Sequence, residues 1–336
     1  MDIRVIIPKQ KTQDTIVFHH SLFSNDDKLI LAPMQNLTSL FFRKTFSEFF
    51  PQNIDYAISP FISVSSNCQS PSSIIYNDIR PLENENTIPL VPQILGNNVE
   101  QILECAKIIE SLGYREINLN MGCPKRDIVS RDRGAGLLRD KDLIHSIFDA
   151  IFNNTKLQLS IKVRLGINDE TELSNLVPML NIYPLKSICI HPRTQKQQYD
   201  GQVNLSLFEH FARELKHTVI YNGDIFTVDD FTKLKTQFPY VKHWMIGRGV
   251  LMNPFLCADI RGIPYNKSEM LIPYLKKLQD NFIKYLPNAS EIAILGKMKE
   301  FTKYLSLGCN VDVRELLREC SLEKFNHRFY KIFNSD

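Results

Sequence analysis

The sequence predicts an α/β fold: a closed (β/α)₈ barrel of the TIM-barrel type, followed by a small C-terminal helical bundle. Eight short apolar, β-branched runs recur between Leu29 and Gly249, and helical periodicity fills several of the gaps between them. After Pro264 the strand-like runs stop and helical patterns take over. Alternating strands and helices are typical of parallel sheets, and eight repeats suit a barrel of about 250 residues. A long open α/β sheet is the lesser alternative.

Most of the eight runs are apolar along their whole length, as expected for parallel strands that are buried on both faces. They begin at Leu29 (LILAPM), Asp55 (DYAISPF), Ile88 (IPLVPQIL), Arg115 (REINLNM), Gln158 (QLSIKVRL), Lys186 (KSICIHP), His217 (HTVIYNGD) and Val241 (VKHWMIGRG). We therefore expect one strand of the barrel at each of these positions.

Helical periodicity is clearest at residues 97–113, which end at a glycine stop, and in a segment that begins near Lys141. Further helical runs follow Pro264, beginning at Met270, Glu291 and Val313. The expected domains are a possible barrel cap at 1–28, a catalytic barrel at 29–262 and a helical domain at 263–336.

The composition indicates a globular protein with a full core, because 43% of residues are hydrophobic and 23% are charged. No run has the length of a membrane helix, and the N-terminus lacks the features of a signal peptide, so a cytoplasmic location is expected. The seven cysteines show no C-x-x-C spacing, which predicts reduced thiols and no metal site. A monomer is the default expectation.

The net charge of +3 belongs to the C-terminal region, where residues 265–336 contain 12 Lys and Arg against 9 Asp and Glu. The rest of the chain is neutral. This excess is consistent either with a solvated helical surface or with a surface that meets a polyanion.

Polar residues collect at the C-terminal ends of the predicted strands, the face on which such barrels carry their active sites. They are Pro33-Met34, Gln93, Asn118, Asn120, Cys123, Lys162, Arg164, His191, Arg193, Asn222-Gly223-Asp224 and Gly247-Arg248-Gly249. So many polar groups do not suit a filled core, and they predict a site on top of the barrel.

The tripeptides NGD after strand seven and GRG after strand eight stand where such barrels often bind phosphate. Glycine allows the backbone to approach a phosphate closely, and Arg248 adds a charged fork. Either tripeptide alone would more often be a plain turn, but their joint placement favours a phosphate site.

Lys162 and Arg164 share one face of strand five if the pleat directs Lys162 inward. A buried lysine with no carboxylate in its own strand is costly unless an anionic ligand meets it. It could form a Schiff base or provide the cation that stabilises a reduced cofactor, and the residues alone leave both roles open.

Cys123 stands between Gly122 and Pro124, in a turn that presents it at the end of a strand. Most cysteines are inert buried thiols. Positive charge nearby would lower the pKa of the thiol and favour a nucleophile, whereas a thiol near its ordinary pKa of about 8.5 is mostly protonated and can act as an acid. The residues are compatible with either role.

The sequence resembles the tRNA-dihydrouridine synthases. The motifs that carry the resemblance occur in family order between Leu29 and Pro254: LAPM, INLNMGCP, IKVRLG, IHPRT, VIYNGDI and WMIGRG. The helical tail after the barrel is also typical of that family. The resemblance implies an FMN-dependent enzyme that reduces the C5=C6 bond of specific uridines in tRNA, with NADPH (or NADH) as the reductant.

The resemblance also implies roles for residues that match the family motifs. Cys123 would be the general acid that protonates C5 of the uracil ring. The cofactor would be held by Pro33, Met34, Gln93, Lys162, His191, Asn222, Gly223, Asp224, Gly247 and Arg248. The substrate base would be held by Asn120, Arg164 and Arg193, with Tyr199 packing beside the nucleotide.

Three other functions are compatible with parts of the sequence. An FMN barrel acting on a free pyrimidine or another small molecule would explain the phosphate site and Lys162, but not the charged helical tail. An aldolase would use Lys162 as a Schiff base. A tRNA-binding chaperone would have no need of Cys123 beside Lys162, Asn120 and Arg164.

Overall fold

The computed structural model describes residues 22–64, 74–285 and 289–333. The possible barrel cap expected at residues 1–28 therefore falls mostly outside the described residues. Residues 22–27 lie at the N-terminal end of the first strand, where the buried carboxylate of Asp27 pairs with Lys235.

All ten strand segments belong to one sheet in which every neighbouring pair is parallel. The strands are β1 Lys28–Leu31, β2 Tyr56–Ile58, β3 Ile62–Ser63, β4 Leu90–Val91, β5 Gln93–Leu95, β6 Glu116–Met121, β7 Gln158–Gly166, β8 Ser187–Thr194, β9 Thr218–Asn222 and β10 His243–Ile246.

The sheet closes into a barrel through residues 90–95. β4 pairs with β2 and β5 pairs with both β3 and β6, while only Pro92 separates β4 from β5. Thus β2 and β3 together form one barrel strand, and β4 and β5 together form another. The barrel is completed where β10 pairs with β1. The predicted eight-stranded barrel is confirmed, with a strand at each expected position.

Helices follow the strands on the outside of the barrel and continue after it. They are α1 Leu40–Phe49, α2 Pro81–Asn84, α3 Val99–Ser111, α4 Arg126–Val129, α5 Lys141–Asn154, α6 Val177–Leu180, α7 Leu205–Glu214, α8 Val228–Gln237, α9 Arg248–Met252, α10 Leu256–Arg261, α11 Lys267–Tyr285, α12 Glu291–Cys309 and α13 Leu322–Phe333. The two helices predicted within the barrel from periodicity correspond to α3 and α5.

The barrel interior has an apolar part and a polar part. Seven small and medium apolar residues fill one region: Ile30, Ala32, Ile58, Val91, Cys189, Ile220 and Met245. On β5 to β8, polar side chains are buried instead, among them Gln93, Asn118, Ser160 and Arg164. Buried polar groups require hydrogen-bond partners, so this half of the barrel holds an ordered polar network.

The C-terminal helices share one hydrophobic core with the barrel. α11 packs along α1, where the rings of Phe41 and Phe282 lie 4.5 Å apart and Asn281 Nδ2 donates to Thr45 Oγ1 at 3.0 Å. The expected helix at Val313 is only a short 3₁₀ turn at Leu316–Arg318, and α13 begins later. Among the described residues, no helix is long and apolar enough to cross a membrane.

Candidate active site

The predicted site residues converge at the C-terminal ends of the barrel strands because the parallel register aligns them. Asn120 on β6 stands opposite Lys162 on β7, and Arg164 stands opposite His191 on β8. Residues two apart in a strand point to the same side of a sheet, so each pair extends a common inner face.

A chain of side-chain amides runs across β5, β6 and β7. Gln93 Nε2 donates to Asn118 Oδ1 at 2.7 Å, and Gln93 Oε1 accepts from Asn120 Nδ2 at 2.8 Å. Asn118 Nδ2 in turn donates to Ser160 Oγ at 3.0 Å. Each bond fixes the amide orientation of the next residue, so the network holds Asn120 in one orientation.

Hydrogen bonds to its backbone hold Cys123 at the mouth of the barrel. Asn120 Oδ1 accepts the backbone N–H groups of Gly122 at 3.1 Å and Cys123 at 2.9 Å. The loop that follows folds back, and Ala135 N donates to Cys123 O at 3.1 Å. A Cβ on Gly134 would stand 2.9 Å from Cys123 Cβ, so only glycine fits beside the cysteine.

Burial raises the pKa of the Cys123 thiol above its ordinary value. A hydrogen bond from the Lys125 backbone N–H and the charges of Lys125, Arg164 and Lys162 act in the opposite direction but do not overcome burial. The thiol is therefore protonated at neutral pH, and the same groups would stabilise the thiolate once the proton has left. This environment favours an acid over a nucleophile.

Lys162 lies half-buried inside the barrel and forms no hydrogen bond or ion pair within the described part of the chain. Burial lowers the pKa of its amine, and the charge of Arg164 lowers it further, whereas the thiols of Cys189 and Cys123 oppose the shift. An unpaired buried ammonium is costly. An anion or hydrogen-bond acceptor bound above it would remove that cost.

Arg164 is 1% exposed and is held by backbone carbonyls. Its Nε donates to Gly122 O at 2.9 Å, and its Nη1 donates to Thr194 O at 2.8 Å and Gln198 O at 2.7 Å. Burial lowers its pKa to about 10, so the group stays charged at neutral pH. A guanidinium has five N–H donors, and among the described residues both N–H groups of Nη2 are left for a ligand.

Arg193 uses all five of its donors within the protein. They bond Asp224 twice, His191 Nε2 at 3.2 Å, and the carbonyl oxygens of Asp200 and Gly201. Among the described residues, these contacts engage every donor of Arg193, so a substrate base would have to displace one of them. The same bonds hold His191 and Asp224 in place.

His191 is buried beneath a group of cations. Burial lowers its pKa well below the ordinary value, and the charges of Arg164, Lys162, Arg193 and Arg248 lower it further. The ring is therefore neutral. Because Nε2 accepts from Arg193, the ring proton resides on Nδ1 and can be donated to a ligand.

Tyr199 lies between two guanidinium groups at the rim of the site. Its ring centroid is 4.8 Å from Arg248 and 5.4 Å from Arg164, and the side chain is 51% exposed. Cation–π contacts of this kind fix the position of the ring while leaving one face open. Arg248 is itself held by Asp224, to which it donates at 2.6 Å.

The residues expected to hold a phosphate lie together where β9 and β10 end. Asn222 Nδ2 donates to Met245 O at 2.9 Å and so joins the two strand ends. A Cβ on Gly247 would lie 3.1 Å from Ala32 and 3.2 Å from Met34 Sδ, and one on Gly223 would lie 3.0 Å from Val203. Pro33 and Met34 lie in the adjoining turn, which Thr38 closes by accepting the Met34 N–H at 2.9 Å.

The chain also matches a known protein family over nearly its whole length. The model of the dihydrouridine synthase family matches residues 30–333. This chain is a member of the dihydrouridine synthase family.

Relatives within the family agree with this assignment. A probable tRNA-dihydrouridine synthase of Rickettsia typhi is 30% identical over 266 residues, which are 76% of this chain and 77% of the relative. A probable tRNA-dihydrouridine synthase of Staphylococcus aureus is 29% identical over 282 residues, 82% of each chain.

Solved structures of similar fold have little sequence in common with this chain. Morphinone reductase has a TM-score of 0.51 at 10% identity, covering 71% of this chain and 87% of its own. The old yellow enzyme from Trypanosoma cruzi has a TM-score of 0.51 at 11% identity, covering 77% of this chain and 94% of its own. These likenesses support the barrel fold.

The charges of this family member fit an anionic cofactor. Four cations, Lys162, Arg164, Arg193 and Arg248, surround the neutral His191. Within the described residues, one carboxylate, that of Asp224, forms hydrogen bonds or ion pairs with these five side chains. The resulting excess of positive charge suits a ligand that carries a phosphate and accepts hydrogen bonds.

Several residues that shape this site received no role from the sequence. Asn118 orients Gln93, and Gly134 packs against Cys123. Lys297 on α12 donates to Asn36 O at 2.9 Å and so ties the helical region to the turn after β1. Asn118 was among the polar residues expected at the strand ends, and it lies two residues before Asn120 on the same face of β6.

Proposed function

We propose that this chain is a tRNA-dihydrouridine synthase that reduces the C5=C6 bond of uridines in tRNA. The observation that carries the proposal is the protonated thiol of Cys123, held at the barrel mouth by Asn120 in a member of the dihydrouridine synthase family. The relatives from Rickettsia typhi and Staphylococcus aureus have names that state the same activity.

The cofactor we propose is FMN, with NADPH or NADH as the reductant. When bound, FMN supplies the two reducing electrons. Gln93, Lys162 and His191 would meet the polar edge of its ring, because each offers a hydrogen-bonding group at the strand ends. The main chain at Pro33 and Met34 would flank the ring, and its phosphate would be held by Asn222, Gly223, Gly247 and Arg248.

Asp224 would take part in cofactor binding through its neighbours. Its carboxylate bonds both Arg193 and Arg248, and a second anion cannot share that contact favourably. We assign the side chain to holding Arg248 in place beside the phosphate, and the backbone N–H of the same turn to the phosphate itself.

Cys123 would donate the proton that completes the reduction. The S–H bond breaks, a C–H bond forms at C5 of the uracil ring, and the sulfur is left as a thiolate. The Lys125 N–H and the charges of Lys125, Arg164 and Lys162 stabilise that thiolate. A positioned acid typically contributes 10²- to 10⁴-fold to the rate.

Asn120 and Arg164 would hold the target base. Asn120 uses its oxygen on the backbone of residues 122 and 123 and one N–H on Gln93, which leaves one N–H for a uracil carbonyl. Arg164 has both N–H groups of Nη2 available. Two donors placed beside the acid suit a ring that carries two carbonyl oxygens and develops negative charge during reduction.

A base inside a folded tRNA must leave its stack to reach this site, at a cost of a few kcal/mol. Tyr199 would support the nucleotide by stacking, and the basic helical tail would contact phosphates. We further propose that the protein acts as a monomer in the cytoplasm, the location expected from its sequence.

The proposal is tested with purified protein, FMN, NADPH and tRNA that lacks dihydrouridine. Dihydrouridine should form in the tRNA, and NADPH should be consumed in equal amount. Free uracil, uridine and other small pyrimidines serve as competing substrates. Turnover of a free pyrimidine with an unchanged tRNA would show instead that the enzyme acts on small molecules.

A further inference from the structure

A second basic cavity lies beside Cys123, on the side of the barrel away from Arg193 and Arg248. Its volume is about 240 Å³, and its apolar wall is formed by Phe61, Leu95 and Ile128. These residues come from the ends of the second and third barrel strands and from α4. The cavity is therefore separate from the cradle at the ends of β9 and β10.

The rim of the cavity carries more positive than negative charge. Of the described residues that line it, Lys125, Arg131 and Arg133 are basic, and Asp127 is the one acid. In the part of the chain that the structure describes, no side-chain ion pair involves these three cations. Three cations without an acidic side-chain partner around one concave surface favour an anionic ligand.

Asn97 holds the basic loop in place. Its Nδ2 donates to Arg131 O at 2.9 Å, and its Oδ1 accepts from Arg133 Nε at 3.3 Å. Because Arg133 is held through Nε, its two terminal nitrogens have no partner among the described residues and can bind an anion together. A second anchor is the ion pair between Arg139 and Asp132 at 2.7 Å. Asp132 lies between Arg131 and Arg133 in the sequence, and it pairs with Arg139 and not with either of them.

The cavity is also connected to the proposed acid. Lys125 lines the cavity, and its backbone N–H bonds the sulfur of Cys123, two residues before it. An anion bound at the rim would therefore lie near the residue proposed to protonate the target base. A cavity of 240 Å³ is below the usual range for drug-sized ligands, so it suits a phosphate with its sugar.

We propose that this cavity binds a backbone phosphate of the RNA strand next to the target uridine, with Phe61 against the adjoining sugar. The inference rests on the proposed function. The 2′-phosphate of NADPH has the same chemistry, but it lies at the far end of the dinucleotide from the reacting ring. A neighbouring backbone phosphate is joined to the target nucleotide itself, which favours the RNA.

The test compares the double variant Arg131→Gln/Arg133→Gln with wild type. A matched control, Lys156→Gln/Lys216→Gln, removes the same charge from two exposed lysines in the loops before β7 and β9, at the opposite end of the barrel. The measurements are the KM and Kd for tRNA over a range of salt concentrations, and the KM for NADPH and for NADH. The flavin spectrum and the thermal unfolding curve show whether each variant is folded.

In the Arg131→Gln/Arg133→Gln variant, the Kd for tRNA should rise on the order of tenfold. The slope of log Kd against log salt should fall by about 1 to 2. The kcat at saturating tRNA and both reductant constants should stay near wild type. A variant with the tRNA affinity of the control would overturn the proposal. So would a rise in the KM for NADPH, but not for NADH, at unchanged tRNA affinity, because the cavity would then bind the reductant. If wild type forms no dihydrouridine, the proposed function is refuted. The tRNA-binding measurement would still show whether the cavity binds RNA.

Discussion

The side chain of Asn120 fixes the backbone of Cys123, whose N–H it accepts at 2.9 Å. Asn120 is itself bonded to Gln93 in the barrel interior at 2.8 Å. The thiol is therefore positioned by the barrel and not only by the loop on which it lies. This connection joins the residue proposed to hold the base to the residue proposed to protonate it.

The substitution Asn120→Ala should lower kcat by about 10- to 100-fold, because small displacements of a reacting group have effects of this size. Asn98→Ala is a matched control, since Asn98 also accepts a backbone N–H, that of Gln101, but at the start of α3. The control should lose about 1 kcal/mol of stability and keep its activity. Equal loss of activity in both variants would contradict the positioning role of Asn120.

The substitution Lys162→Met should weaken flavin binding but stabilise the cofactor-free protein, by about 1 kcal/mol. It removes a half-buried charge that has no partner among the described residues. Lys235→Met is the contrasting variant, because Lys235 is paired with Asp27 and its loss should destabilise the protein by about 3 to 5 kcal/mol. Chemical denaturation without and with flavin measures both effects.

The stabilising effect of Lys162→Met should depend on pH. Burial lowers the pKa of Lys162 below its ordinary value of 10.5, so between the lowered value and 10.5 the unfolded chain binds more protons than the folded one. The stability of wild type therefore rises with pH in that window, and the advantage of the variant should shrink. A constant difference between the two proteins across that window would show that folding does not change the pKa of Lys162.

The substitution Gly134→Ala should reduce activity by displacing Cys123. A Cβ there would stand 2.9 Å from the Cys123 Cβ, and the residue has a φ of +58°. Gly262→Ala separates the two effects, because Gly262 has a φ of +67° but nothing within 4 Å of the added atom. Both variants should lose about 1 kcal/mol of stability from the backbone conformation, and only Gly134→Ala should lose activity.

The rate of dihydrouridine formation should be constant around neutral pH and fall at alkaline pH. Burial raises the pKa of Cys123, so the thiol keeps its proton to a higher pH than an ordinary cysteine and loses it only above that value. The pH profile of Lys162→Met is measured in parallel. It shows how much of the decrease in rate at alkaline pH is due to deprotonation of the Lys162 amine. A rate that increases from neutral pH to about pH 9 would indicate a thiolate nucleophile instead.

Much of the fold could be predicted because its signals are local. Continuous apolar runs marked all eight barrel strands, and periodicity marked α3 and α5. The helix expected at Val313 was wrong, because only Leu316–Arg318 turns there, and α13 was missed. Its three buried rings, Phe325, Phe329 and Phe333, repeat every four residues, so the signal was present.

The site was less predictable because a list of strand ends does not show how side chains share their partners. The sequence grouped Arg193 with Arg164, yet Arg193 is fully engaged by Asp224, His191 and backbone oxygens, whereas Arg164 keeps donors for a ligand. The role of Cys123 was also open in the sequence. Burial favours an acid, and burial depends on how the loop around Gly134 folds back.

The most direct test of the account is the dihydrouridine content of tRNA from cells that lack this protein and carry either wild type or Cys123→Ala. We expect wild type to restore dihydrouridine at specific positions. The variant should bind flavin and tRNA yet restore almost none. Normal dihydrouridine levels with Cys123→Ala would contradict the role of Cys123 as the acid, and maps unchanged by removal of the protein would contradict the proposed function itself.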